Sequence, residues 1–190
     1  MAVFSEALSD ATSDLSGGAD FDNQITSIDD GNTLAVTIAG QSTESSFGYT
    51  NAGTPNNADW ENGNWTVEVD VQTANMNITV EPRIDRVSST GSFLEDSDAT
   101  VSPQSMGTTG IRTFIFLGAT WDAGNASDRI RVEYVFVNSQ HGEQSVTMNV
   151  DTTNSEVVGP IEDNTVGAVE TPGVLAIKSR RIRLAPIRAM

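Results

Sequence analysis

The sequence contains no cysteine, a single histidine (His141) and a single lysine (Lys178). Without cysteine there are no disulfides, no thiolate nucleophiles and no Cys-ligated metals. With one histidine, a Ser-His-Asp site has only His141 to build on. That residue falls in NSQHGEQ, a stretch that reads as a solvated turn and not as the base of a cleft. Long apolar runs are missing too. None approaches the ~20 residues that cross a bilayer, so no membrane-spanning segment is expected. The opening MAVFSEALSD lacks the basic start and apolar stretch of a secretory signal. Helical periodicity is almost absent.

What the chain has in abundance is acid. Fifteen Asp and eleven Glu face ten cations, for a net charge of −16. Such a balance suits a high-salt setting, where charge keeps a protein soluble. It also makes nucleic acid a poor partner for the body of the chain, because phosphates are repelled before contact. The cations are not spread evenly. Lys178, Arg180, Arg181, Arg183 and Arg188 are half of them, and all 26 acids lie before residue 177. The body therefore carries −21 and the last fourteen residues carry +5.

Alternation of apolar and polar residues marks the strands. In NWTVEVDVQ, Trp65, Val67, Val69 and Val71 fall on one face, with Thr66, Glu68, Asp70 and Gln72 on the other. NMNITVEPRIDRV continues after a short turn, with Pro82 hinting at an edge or bulge. Further strands are expected at NTLAVTIAG, RTFIFLGA, DRIRVEYVFVN and QSVTMNVDT, with a short one at Phe93-Leu94. QSTESSFGYTNAGTPNNADW shows no period and reads as a long loop, and residues 1–30 read as a weakly structured arm with one helical turn at VFSEAL. These features predict an all-β chain: a single antiparallel β-sandwich or jelly roll of about eight strands with extended N- and C-terminal arms. The division is an N-terminal arm at 1–30, a jelly-roll domain at 31–170 and a basic C-terminal arm at 171–190.

Several residues invite chemistry. Glu95, Asp96 and Asp98, or Asp122 and Asp128, are paired carboxylates of the kind glycosidases use, though close pairs are expected by chance in so acidic a chain. Asp122, Asn125 and Asp128 offer hard oxygen ligands of the type Ca²⁺ takes, without EF-hand spacing; Asx turns joining strands are the plainer explanation, and no cofactor is expected. Tyr49, Trp60 and Trp121 are expected in loops, where exposed aromatics stack on sugar rings or else close the ends of the sandwich. Arg86, Arg129 and Arg131 are expected to pair with neighbours such as Asp85, Asp128 and Glu133. In the basic segment, Ile182, Leu184 and Ile187 are apolar anchors among the Arg donors, and Pro172 and Pro186 disfavour a helix. That mixture suits strand addition or arm exchange with an acidic sister subunit, making Lys178, Arg180, Arg181, Arg183, Arg188, Ile182, Leu184 and Ile187 the expected subunit contacts.

Gly63 with Trp65, Arg86 to Gly91, Gly110 with Phe114, and Asp128 to Val132 form a series that resembles the jelly-roll capsid and capsid-decorating (cement) proteins of phages and archaeal viruses. The likeness covers roughly residues 60–150. It implies a virion structural protein, made in the host cytoplasm and located in the capsid shell, whose partners are copies of itself or a major capsid protein. No catalysis is implied. The alternative from another class is a carbohydrate-binding module on a fibre or enzyme, using Tyr49, Trp60 and Trp121.

The charge balance yields a first prediction. Screening shortens the reach of acid–acid repulsion to ~3 Å at 1 M ionic strength, so the melting temperature should climb through a NaCl series to that concentration. A flat or falling series would remove the high-salt reading.

Overall fold

Alternation along the strand Gly63–Thr73 (β5 below) becomes burial in the folded chain: Trp65, Val67, Val69 and Val71 are all inaccessible to solvent, while Asn64, Thr66, Glu68 and Asp70 are not. The computed structural model describes residues 2–15, 22–26, 31–50, 60–121 and 127–161. Among these it forms twelve strands and no helix: β1 (Ala2–Thr12), β2 (Asp22–Thr26), β3 (Asn32–Ile38), β4 (Thr43–Thr50), β5 (Gly63–Thr73), β6 (Ile78–Val87), β7 (Phe93–Asp96), β8 (Gln104–Ser105), β9 (Gly110–Ala119), β10 (Arg129–Asn138), β11 (Gln144–Val150) and β12 (Glu156–Ile161). Among the described residues no helix is long and apolar enough to cross a membrane.

The strands form an all-β sandwich with the hydrogen-bonded order β3-β11-β5-β12-β1-β2-β4-β10-β6-β7, in which β8 also pairs with β6 and β9 with β5. The inward row of β10, Ile130, Val132, Tyr134 and Phe136, shares one core with that of β5, with Phe114 and Phe116 of β9, and with Ile78, Val80 and Ile84 of β6. All pairings are antiparallel except β2–β4, which runs parallel from Asp22↔Phe47 to Ile25↔Thr50.

Three expectations are corrected. The sandwich has twelve strands where about eight were expected, and one parallel pair where none was. Residues 2–12 are no loose arm or helical turn. They form β1, which pairs with β12 over Ala2–Ala7 and with β2 over Ala7–Thr12, and which sends Phe4 and Leu8 into the core. The stretch around Phe47 and Tyr49 is not a loop. It is β4, whose small inward residues Ser46, Gly48 and Thr50 let other strands come close. A Cβ at Gly48 would stand 3.0 Å from both Ile25 and Leu8, so a larger residue would have to push these side chains back by a few tenths of an ångström. Residues 171–190, expected as the basic arm, lie outside the described residues.

Two buried polar residues fix the ends of the sheet. Asn138 donates through Nδ2 to the carbonyls of Ile38, Ala39 and Gly142, joining the β3–β4 and β10–β11 turns. Ser155 fills the fork where β11 and β12 part along one edge of β5: its hydroxyl donates to Asn149 O and accepts from Asp70 N, and its carbonyl accepts from Leu8 N. Glu6 lies on the same row of β1 as Phe4 and Leu8, and burial pushes its carboxyl up from 4.5 to about 7.

This row carries a pH dependence. The folded-state value lies above the unfolded one, so the unfolded chain gives up its proton first, and the Glu6 contribution to stability is lost as pH rises from about 4.5 to about 7. Glu6→Gln should therefore raise the melting temperature at a pH well above that window and give no gain below it. An equal effect on both sides would show that Glu6 is not the group responsible.

Candidate functional site

The aromatics that could have stacked on sugars are inside the protein. Trp60, Trp121 and Tyr49 retain only 7%, 8% and 9% exposure. Trp60 meets the Phe4 ring edge-on at 5.0 Å and lies 5.6 Å from Trp65, while Trp121 meets Trp65 edge-on at 6.0 Å. Trp60 Nε1 donates to Asp128 O at 3.0 Å, and Asn62 Oδ1 accepts from Trp121 N at 2.6 Å. The three tryptophans of the chain thus pack together at one end of the core, and of them only Trp121 reaches a concave surface among the described residues, at the edge of the recess described below. β12 passes tightly against them, for a Cβ at Gly159 would overlap the Trp65 indole.

The arginines of the body are engaged within it. Arg129 grips both carboxylate oxygens of Asp14, at 2.5 and 3.1 Å, and donates to Thr50 O. Arg86 lies between Glu95 at 3.0 Å and Asp128 at 3.7 Å. Of the expected partners, Asp128 meets Arg86 and Asp85 meets Arg131, while Glu133 faces Arg83 instead; Asp14 and Glu95 are partners the sequence did not reveal. Arg112 donates to the carbonyls of Ser105, Thr108, Gly110 and Ile111. Asp128, the described member of the Ca²⁺ candidates, is buried against Arg86. Asp122 and Asn125 lie outside the described residues. Among the described residues no group of three His, Asp or Glu side chains could hold a metal ion. His141 is exposed in the β10–β11 turn.

Among the described residues a concave site lies beside β6, and the pairing of β6 explains it. One edge of β6 is bonded along its length to β10, whereas the other meets β8 only at Thr79–Val80 and β7 only at Asp85–Val87. Glu81–Arg83 therefore have no strand partner on that side, and Pro82 has no N–H to satisfy there. The segment after β7 spans the gap: Ser97 N donates to Ile84 O, and Thr120 N donates to Ser97 O. The resulting groove has a volume of about 620 Å³ and is lined by Glu81, Asp85, Asp96, Asp98 and Glu133, by Arg83 and Arg131, and by Phe93 and Val101. A smaller recess of about 360 Å³ shares Phe93, Asp96 and Asp98 with it.

The charges in the groove divide into held and open groups. Arg131 donates through Nε and Nη2 to Asp85 Oδ2, at 2.9 and 2.5 Å, with its guanidinium 5.1 Å from the Phe47 ring centre and 5.9 Å from that of Phe93. Burial raises the Asp85 carboxyl above its ordinary value even with Arg131 against it. Burial desolvates Arg131 and works against its charge, but the hydrogen bond and charge of Asp85 together with those of Tyr49 outweigh it and raise the guanidinium above its ordinary value. Arg83 lies 3.6 Å from Glu81 and 3.8 Å from Glu133, and Glu133 also accepts from Ser45 Oγ. Asp96 accepts from Asp98 N, and Asp98 from the Thr120 hydroxyl; both are exposed, and neither has an ion-pair partner among the described residues. This arrangement favours cationic groups and repels phosphate. The sequence offered Glu95, Asp96 and Asp98 as paired carboxylates, and the structure places Asp96 and Asp98 here, but nothing in the sequence showed a groove, because β7, β10 and the 97–101 segment meet only through the tertiary fold. Of the expected subunit contacts, Lys178, Arg180, Arg181, Arg183, Arg188, Ile182, Leu184 and Ile187 all lie outside the described residues.

The relocation of the aromatics is testable. Trp60→Ala should cost about 3–5 kcal/mol of unfolding free energy in urea, as for a core aromatic. A loss below ~0.5 kcal/mol, the range of exposed positions, would return Trp60 to the surface.

No family model matches the chain, and no curated protein sequence does. Solved structures similar to it include the following two. One is a CocE/NonD family hydrolase from Staphylococcus aureus, at 10% identity and a TM-score of 0.46, covering 85% of this chain and 37% of that one. The other is the infectious bursal disease virus VP2 subviral particle, at 12% identity and a TM-score of 0.33, covering 72% of this chain and 34% of that one. The chain spans about a third of the length of each.

Proposed function

We propose that the chain is a structural subunit of a virion, a jelly-roll capsid or capsid-decorating protein that acts by assembly and not by catalysis. The observation that carries this reading is the segregation of charge: a body at −21 beside a fourteen-residue segment at +5 with Ile182, Leu184 and Ile187 among its cations. A surface and a ligand of opposite sign on every copy favour association between copies, since complementary potentials steer encounter and fix register. The body offers a phosphate little, because Arg86, Arg129 and Arg131 are held in ion pairs, Arg112 is turned onto backbone carbonyls, and Arg83, 55% exposed, lies between Glu81 and Glu133.

The outer strand β9 supports the same reading. It pairs only with β5 among the described residues, and Ile111, Ile115 and Leu117 are 45%, 54% and 72% exposed along its outward face. Gln104 and Arg112 side chains cover the carbonyls of Gly110, Ile111 and Thr113, so the first half of this edge is closed against strand addition. The second half, with Ile115 and Leu117, keeps an apolar surface suited to burial against another chain. The partners in this reading are further copies of the chain or a major capsid protein, the place is the capsid shell after synthesis in the host cytoplasm, and no cofactor is required.

The test is removal of residues 174–190. All twelve strands lie before residue 162, so the truncated protein should keep its β-sheet circular dichroism while losing assembly in light scattering or capsid co-sedimentation. Replacing Arg180, Arg181 and Arg183 by Glu should weaken assembly more than replacing them by Ala, with each reversal adding repulsion to the lost pairing. Unchanged assembly in the truncated protein would contradict the proposal.

A further inference from the structure

We infer that the groove beside β6 is the seat of the basic segment 178–188 of a neighbouring copy. This rests on the assembly reading above and names the receiving site for it. The groove lining holds five carboxylates and two arginines. Its internal ion pairs engage Glu81, Asp85 and Glu133 and leave Asp96 and Asp98 exposed, on either side of the shared boundary between groove and recess. Next to them Phe93, which lines both groove and recess, is 56% exposed. Two open carboxylates beside an exposed aromatic residue are the chemistry that receives a guanidinium, which pairs with the former and stacks on the latter. Phe93 and Val101 of the lining supply apolar surface for Ile182 or Leu184.

The ligand is found in the same chain. With the five body arginines engaged by neighbouring groups of the body, the other half of the cations lie at Lys178, Arg180, Arg181, Arg183 and Arg188. Arg180, Arg181 and Arg183 fall within four residues, close enough together to meet both Asp96 and Asp98. The sixteen residues between Ile161 and Lys178 span up to about 55 Å when extended, which is enough to leave one body and reach another. The sum of groove and recess, near the upper range of small-ligand sites, accommodates several side chains of such a segment.

Because the chain has no cysteine, one introduced pair reports the contact directly. Thr100→Cys lies in the groove lining and Ser179→Cys lies in the basic segment, and neither change alters a charge. Mixed under mild oxidation, the two single variants should form a disulfide between chains, identified by mass spectrometry of the linked peptides and suppressed at about 1 M salt. Ser139→Cys, exposed in the β10–β11 turn, is the control. Equal linkage of residue 179 to residue 139, linkage of residue 179 to residue 100 only within one chain when both cysteines are on one copy, or no linkage at all would overturn the assignment. In parallel, Asp96→Asn with Asp98→Asn removes two charges while keeping the side-chain oxygen that accepts from the backbone of residue 98. Assembly of this variant should weaken by about tenfold or more, whereas Glu44→Gln with Glu143→Gln, outside the groove, should leave it unchanged. If the groove variant assembles normally while removal of 174–190 still abolishes assembly, the groove is not the seat and the assembly reading stands.

Discussion

The sandwich depends on β5 accepting three partners. Along one edge it bonds to β9 from Gly63↔Ala119 to Val71↔Gly110; along the other it bonds to β12 at Thr66–Val67 and to β11 at Asp70–Thr73. The switch from β12 to β11 forces a fork, and the fork leaves backbone groups that no strand can reach. Ser155 answers them, joining Asp70, Asn149 and Leu8 in one buried cluster. On its inward face the same strand carries Trp65, around which Phe4, Trp60 and Trp121 gather and beneath which Gly159 passes. Removal of β5 from this arrangement would leave β9, β11 and β12 without a common edge and the aromatic cluster without a centre.

Strands that alternate strongly were legible in the sequence, and those whose inward row is interrupted were not. β5, β6, β9, β10 and β11 are anchored by inward rows dominated by Val, Ile, Phe and Trp, with Tyr134 and Met148 among them, and each lies where the alternation put it. β1 was hidden because Glu6 occupies the inward row between Phe4 and Leu8, and a carboxylate in that place reads as a loop. β4 was hidden for a different reason: its inward positions are Ser46, Gly48 and Thr50, chosen for size, where neighbouring strands leave little volume. β12 contains Gly159 and Pro160, both breakers by propensity, yet Gly159 is what allows the Trp65 ring to lie against the strand. The grouping of Trp60, Trp65 and Trp121 needed the β5–β9 register, which no local pattern carries. The groove was illegible for the same reason, since it is a gap between the partners of β6 and not a motif.

Charge connects the fold to the proposed role. A body this acidic ties four of its five arginines to carboxylates, at Glu81, Asp14, Asp85, Glu95, Asp128 and Glu133, and so presents a surface of predominantly negative sign. In the proposed reading such a surface repels copies of itself until a segment of opposite sign intervenes, which would make the basic segment both the means of association and its control. Salt then acts in two directions. Screening relieves repulsion inside each body, and it weakens the attraction between body and segment. Folding and assembly should accordingly respond to ionic strength with opposite signs.

Sedimentation velocity of the unmodified chain across a range of protein concentrations, at low salt and at about 1 M salt, tests that claim most directly. Concentration-dependent association at low salt that reverses at high salt, while the β-sheet signal is kept, is the expected result. A chain that remains monomeric at every concentration in both buffers would contradict it.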